Sequence, residues 1–462
     1  MAKGHEPTKS TRLPALPAAG IDELSRPWVQ FSRIEAASGV VLLVCAVIAL
    51  VAANSAWAPE WSKLWDTHIA VGVGGARLDY PLWYWINDGL MAVFFFVVGL
   101  EIKRELVHGE LRDPKKVVLP VAAALGGAVV PAGIYAALLA GQPGSAGWAV
   151  PMATDIAFVV GALALLGSRV PVGLKVFLLS LAIVDDLLAV GVIAVFLSEA
   201  PKLGWLSLAA VLLVGVAGLN RLGVRNVGLY VLVGGVAWLC TLKSGIHPTV
   251  AGAALGLLTP SGAWLGRWGA TEHLKAAVAV LDDPDVVDGG WEEQLAIERA
   301  LVASREARSP LERIEGALHP WVGFLIMPVF ALANAGVPVS ADVVRDPVAF
   351  AAGVGLVVGK PVGIFVASWV VVGMGVGSLP RGVDWKLLAG AGCLAGIGFT
   401  MSLFIASLSL IDGDLAAAKT GVLLGSVVSG GLGFGALFVL LRRPLSVGDP
   451  APDAAPASDS AP

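Results

Sequence analysis

The chain has 462 residues and a formal net charge of −4; 56% of it is hydrophobic and 14% charged, with a mean hydropathy of +0.80. A water-soluble chain carries about a quarter charged residues, so a soluble globule is excluded. No basic patch interleaved with aromatics is present, which excludes nucleic acid as a partner and leaves the lipid bilayer as the expected surroundings.

Residues 1–26, rich in Pro, Ala, Ser and charge, read as a disordered cytoplasmic tail, and 444–462 as a second one. No signal peptide is expected, because the first apolar run starts near Ile34, behind that polar tail. Apolar runs long enough to cross the ~30 Å hydrocarbon core follow. They predict about twelve spans: 34–53, 83–101, 117–139, 149–167, 173–197, 205–220, 226–243, 245–259, 317–335, 347–373, 386–410 and 417–441. The expected fold is therefore an all-α polytopic membrane protein, its transmembrane domain filling 27–443. Cys45, Cys240 and Cys393 lie inside apolar runs and read as small core residues, with neither metal spacing nor a disulfide framework.

Between the first two spans, Ile69–Val73 and Ala76–Tyr80 flank Gly74-Gly75, the signature of a short β-hairpin over 69–80. The long loop 260–316 holds an acidic stretch and then an amphipathic helix near 291–308. Next comes Ser309-Pro310-Leu311-Glu312, a capping box with Pro at the first helical position. The ninth helix is thus expected to start before it enters the membrane.

The positive-inside rule orients these spans. With both termini inside, the inner segments hold 24 basic residues and the outer ones six: Lys63, Arg77, Lys202, Lys243, Arg345 and Lys419. The excess alternates along the whole chain, so both termini are expected in the cytoplasm and the hairpin outside. One basic residue, Lys360, falls inside a span instead.

An ionisable group in mid-bilayer costs several kcal/mol, so each one is a functional hypothesis. Asp185-Asp186 sits midway along its span, Asp155 lies in Ala153-Thr154-Asp155-Ile156 behind Pro151, and Lys360 lies in Gly359-Lys360-Pro361. Thr154 or Asp155 could instead cap a half-helix, and Lys360 could be a counter-charge for one aspartate. Carboxylates are hard oxygen ligands that suit Na⁺ or Li⁺. Helical neighbours point about 100° apart, so one of Asp185 and Asp186 is expected to face an ion cavity while the other reaches Lys360. Ion and proton would then compete for the same oxygens.

Two spans read as interrupted helices: 149–167, with Pro151 and Thr154-Asp155, and 386–410, with Gly392, Gly396 and Gly398 before Thr400 and Ser402. They are the middle members of spans 3–5 and 10–12, which must run in opposite senses. Inverted repeats with paired broken helices mark secondary transporters.

These residues resemble the NhaA-type Na⁺/H⁺ antiporters. The likeness is carried by Ala153–Phe158, Leu181–Leu187, Leu242–His247, Gly359-Lys360-Pro361 and Gly396–Met401, with Trp85–Asp88, Gly99–Glu105 and Leu318–Trp321. It runs in one order from residue 33 to 443. The resemblance implies an ion- and proton-binding pair, Asp185 and Asp186, with Na⁺ at these two residues and with Asp155 and Thr154 completing the ion- and proton-binding set. Asp155 and Thr154 would stand at the crossing of two broken helices, facing Gly396, Gly398 and Thr400, and Lys360 would pair with Asp185. It also implies electrogenic export of Na⁺ or Li⁺ against entering H⁺, favoured at alkaline pH, by a homodimer in the bacterial inner membrane with the hairpin at its interface. Neither enzymatic activity nor a cofactor is implied. Glu101, Glu105, His247, Glu315 and His319 match positions of pH response, although Glu101/Glu105 and Glu315/His319, each one turn apart, equally suit ordinary helix-end charges. The chain departs from some relatives at Gly316, where they carry His, and at Leu188, where they carry Gly, and its loop before the ninth span is longer.

Three rivals are weaker. A sodium-coupled symporter of organic anions needs further polar or basic groups in its cavity, and Lys360 alone is available. An intramembrane aspartyl protease needs two Asp from different helices sharing a water; Asp185 and Asp186 are adjacent on one helix, and although Asp155 could supply a second helix, no Gly-x-Gly-Asp motif is present. For a passive cation channel, Lys360 would stand in the pathway.

Overall fold

The computed structural model describes residues 35–73, 76–198, 200–224, 227–287 and 289–442. Both expected tails, 1–26 and 444–462, and the Gly74-Gly75 turn lie outside the described residues. The chain is an all-α polytopic membrane protein carrying one two-stranded sheet. In order come α1 (Glu35–Ala53), α2 (Ala58–Trp65), β1 (His68–Val73), β2 (Ala76–Pro81), α3 (Leu82–His108) and α4 (Pro114–Leu138). A 3₁₀ segment, Ser145–Met152, leads into α5 (Ile156–Leu166), followed by α6 (Val172–Phe196), α7 (Leu203–Arg221), α8 (Val227–Ser244) and α9 (Pro248–Leu258). The second half holds α10 (Gly266–Leu281), α11 (Trp291–Glu306), α12 (Pro310–Asn334), α13 (Pro347–Gly373), α14 (Trp385–Ala395), α15 (Phe399–Ser409) and α16 (Asp412–Leu440).

Among the described residues, eight helical segments are long and apolar enough to cross a bilayer, or ten if each bent pair counts as one span. The bent pairs are α1 with α2, at 119°, and α14 with α15, at 48°; α8 and α9 are shorter apolar helices. The hairpin pairs Ile69 with Tyr80 and Val71 with Leu78, each strand reaching one residue beyond the expected limits.

Two of the long helices widen into π-turns for a visible reason. Val322–Ile326 precedes Pro328, and Gly355–Gly359 precedes Pro361. A proline ring clashes with the carbonyl four residues back and cannot donate to it, so the ladder opens there.

Helices are held together where glycine lets backbones meet. α13 packs along α4, and a Cβ on Gly363 would strike the Gly126 carbonyl, as one on Gly126 would strike that of Gly363. α9 packs on α3 in the same way through Gly252, Gly256 and Gly99. We expect Gly363→Val to push α13 off α4 at a cost of about 1–3 kcal/mol or more. Thermal unfolding in detergent checks this, with Gly133→Val, whose Cβ meets nothing within 4 Å, as the comparison.

The long loop holds two helices where the sequence suggested one. α10 and α11 pack against each other with Ala270, Ala277, Ala296 and Ala303 buried. The capping box is present: Glu312 N donates to Ser309 Oγ, and Ser309 N to Glu312 Oε2, each at 3.2 Å. α12 therefore starts at Pro310, ahead of its apolar stretch.

Candidate ion-binding site

The site forms where two broken helices meet. After Met152 the 3₁₀ segment gives way to extended backbone, with Ala153 at φ −82°, ψ 150° and Asp155 at φ −89°, ψ 100°, before α5 begins. Gly396–Gly398 likewise interrupts α14 and α15. An interrupted helix exposes free N–H groups at one end and free C=O groups at the other, and in an apolar interior each needs a partner.

The two breaks satisfy each other. Asp155 N donates to Ile397 O at 2.7 Å, and Thr154 Oγ1 to Ala395 O at 2.8 Å. Asp155 Oδ1 accepts from Ala157 N at 3.1 Å and Phe158 N at 3.4 Å, capping α5. Its Oδ2 accepts from Thr400 N at 3.1 Å and from the Thr400 hydroxyl, capping α15. One carboxylate thus sits at the positive ends of two half-helices, where a negative charge is favoured. Its four acceptor positions are filled by protein donors. α16 closes the remainder, with Ser429 Oγ donating to Cys393 O at 2.8 Å and Phe399 N donating to Ser426 Oγ at 3.1 Å.

Lys360 serves the opposite pole. Its ammonium donates to Met152 O, at the carbonyl end of the 3₁₀ segment, and to Asp185 Oδ2 at 2.7 Å. Lys360 is fully buried and Asp185 is 2% exposed. Asp186 is 3% exposed, yet among the described residues no hydrogen bond reaches its carboxylate. The neighbours on α6 are therefore unlike: Asp185 is paired with the lysine, and Asp186 has no such partner among the described residues. Thr154, Asp155, Asp185, Asp186, Lys360, Gly396, Gly398 and Thr400 all gather at this crossing. Sequence reasoning missed Met152 O, which carries no side-chain signal; Ser402, which it noted beside Thr400, has its Oγ buried with no partner among the described residues.

The five pH-response candidates divide. Arg104 is ion-paired with Glu315 and lies 3.8 Å from Glu105, and His319 lies 3.8 Å from Glu101, so four of them form one cluster where α3 and α12 approach the long loop. His247 is elsewhere: it precedes α9 and its Nε2 is 3.0 Å from Leu197 O.

A family described as Na⁺/H⁺ antiporter 1 matches residues 29–437. The chain is 49% identical over 438 residues to Na⁺/H⁺ antiporter NhaA of Rhodopirellula baltica, covering 94% of this chain and 98% of that one. It is 46% identical over 432 residues to Na⁺/H⁺ antiporter NhaA of Rhizobium meliloti, covering 93% and 98%, and 43% identical over 427 residues to Na⁺/H⁺ antiporter NhaA 2 of Vibrio vulnificus, covering 91% and 94%. The chain belongs to the Na⁺/H⁺ antiporter 1 family.

Proposed function

We propose that the protein is a secondary active antiporter that exports Na⁺ or Li⁺ in exchange for entering H⁺, the two competing for Asp186. The observation that carries this reading is the asymmetry of the aspartate pair. Asp185 is neutralised by Lys360 at 2.7 Å, whereas Asp186 is buried with no donor among the described residues. A buried carboxylate without a partner takes a cation or a proton, and hard oxygen suits Na⁺. The relatives named as Na⁺/H⁺ antiporters support the same ion pair. Asp155, with its acceptors filled, holds the crossing rather than the ion.

Exchange is electrogenic, alternates access between the two sides and is regulated by pH, with Glu101, Glu105, Glu315 and His319 as the regulating cluster. His247 stays a candidate on the resemblance alone. Twelve spans follow if each bent pair is one crossing and α8 and α9 also cross. The basic-residue bias then puts both termini in the cytoplasm of a bacterial inner membrane and the hairpin outside, where it joins a homodimer. α4 to α6 and α13 to α16 become inverted repeats whose broken members cross at the site.

The test is sealed vesicles bearing the purified protein with an imposed ΔpH. Addition of Na⁺ or Li⁺ is expected to collapse the gradient, and K⁺ is not. No response at any pH from mildly acidic to alkaline would sink the exchange reading.

A further inference from the structure

Lys419 lies two turns inside an apolar helix, and the site just described does not use it. The sequence places it at an outer helix end, but α16 begins at Asp412, so Lys419 lies roughly 10 Å along the helix at 1.5 Å per residue. No carboxylate pairs with it among the described residues. An ammonium there is costly unless it has a task.

Its acceptor is Asn334 Oδ1, the amide of the last residue of α12, at 3.4 Å. That amide has no freedom to turn away. Asn334 Nδ2 donates both its hydrogens, to Asn87 Oδ1 at 2.8 Å and to Phe330 O at 3.1 Å. A flipped amide would set carbonyl against carbonyl and its NH₂ against the ammonium. Asn87 is buried in the π-turn Trp85–Leu90 of α3. Three helices, α3, α12 and α16, are thus tied by one chain of hydrogen bonds.

Beside this chain, starting from Phe330 one turn before Asn334, three aromatic rings pack together as a plug. The Phe404 ring of α15 lies 5.6 Å from Phe95 of α3 and 6.1 Å from Phe330 of α12, and all three are fully buried. α15 packs on α16. Any motion that carries α15 and α16 away from α3 and α12 opens the aromatic plug and pulls Lys419 off Asn334 together.

We propose that Lys419 is a positioning residue for exchange: with Asn334 and Asn87 it is the outer latch that keeps the aromatic plug shut while the site faces the cytoplasm. The proposal rests on the alternating-access reading above. A single charge-assisted hydrogen bond, with no ion pair behind it among the described residues, holds the closed state yet breaks once per cycle.

The test uses the full chain with Cys45, Cys240 and Cys393 replaced by Ala and one reporter thiol, Ala406→Cys, on the buried outer part of α15. A membrane-impermeant maleimide is applied from outside. Lys419→Met is expected to speed labelling about fivefold or more, and Lys419→Arg to leave it near the parent rate. In the same variant the KM for cytoplasmic Na⁺ should rise and that for external Na⁺ should fall, with the maximal rate kept, as a population shift requires. A merely structural lysine would lower thermal stability without that opposite movement. Unchanged labelling in Lys419→Met overturns the latch, whatever happens to exchange. Faster labelling in a parent protein that moves no Na⁺ would support the latch while sinking the transport reading.

Discussion

Asp186→Asn is expected to reduce Na⁺-driven exchange to the background of empty vesicles while the protein stays folded. Asparagine keeps the shape of the side chain but can neither release a proton nor balance a cation. Removing one partner of a buried charge pair is worth about 3–5 kcal/mol, which in ion affinity is about a hundredfold or more. The fold loses little, because no hydrogen bond among the described residues reaches the Asp186 carboxylate. Thermal unfolding should therefore shift by no more than an ordinary substitution, about 1 kcal/mol. Exchange and melting are measured on one preparation. Wild-type exchange in the variant would move the ion to another carboxylate; loss of fold would make Asp186 a structural residue.

The fold was legible in the sequence wherever burial produced an uninterrupted apolar run, as in Ile156–Leu166. It was less legible where charge and helix coincide. Asp412 and Asp414 look like loop, yet they occupy the first turn of α16, where negative charge suits the helix dipole. That shift of five residues moves Lys419 from the helix end to two turns inside α16. α10 was missed because its contact face is Ala270 and Ala277, and alanine gives no amphipathic stripe to read.

The members of the site were legible because ionisable residues in apolar runs stand out. Their partners were not. The identity of the aspartate that meets Lys360 depends on how α6 is rotated against α13, a tertiary choice with 175 residues between the two groups. Asp155 offered a capping reading and an ion reading, and the structure fills its oxygens through Thr400, 245 residues away. The backbone carbonyl of Met152 is invisible to any reading based on side chains. Local rules thus found the break in each helix, while the satisfaction of the freed backbone groups is a property of the crossing.

The second large effect concerns Lys360. Lys360→Met strands a buried Asp185 carboxylate and leaves Met152 O without its donor; Asp185→Asn strands the ammonium instead. Each is expected to cost about 3–5 kcal/mol. Replacing both partners of a buried pair is often nearly neutral, since no uncompensated charge remains. The double variant Asp185→Asn/Lys360→Met should therefore be more stable than either single one, and short of the parent by about 1–3 kcal/mol for the unsatisfied Met152 carbonyl. A double-mutant cycle on unfolding midpoints in detergent reads the coupling directly. Additive losses would mean that Lys360 answers chiefly to the carbonyl end of the 3₁₀ segment and that Asp185 is not its essential partner. Recovery in the double variant would show that the pair neutralises itself, which leaves Asp186 as the charge free to meet the ion.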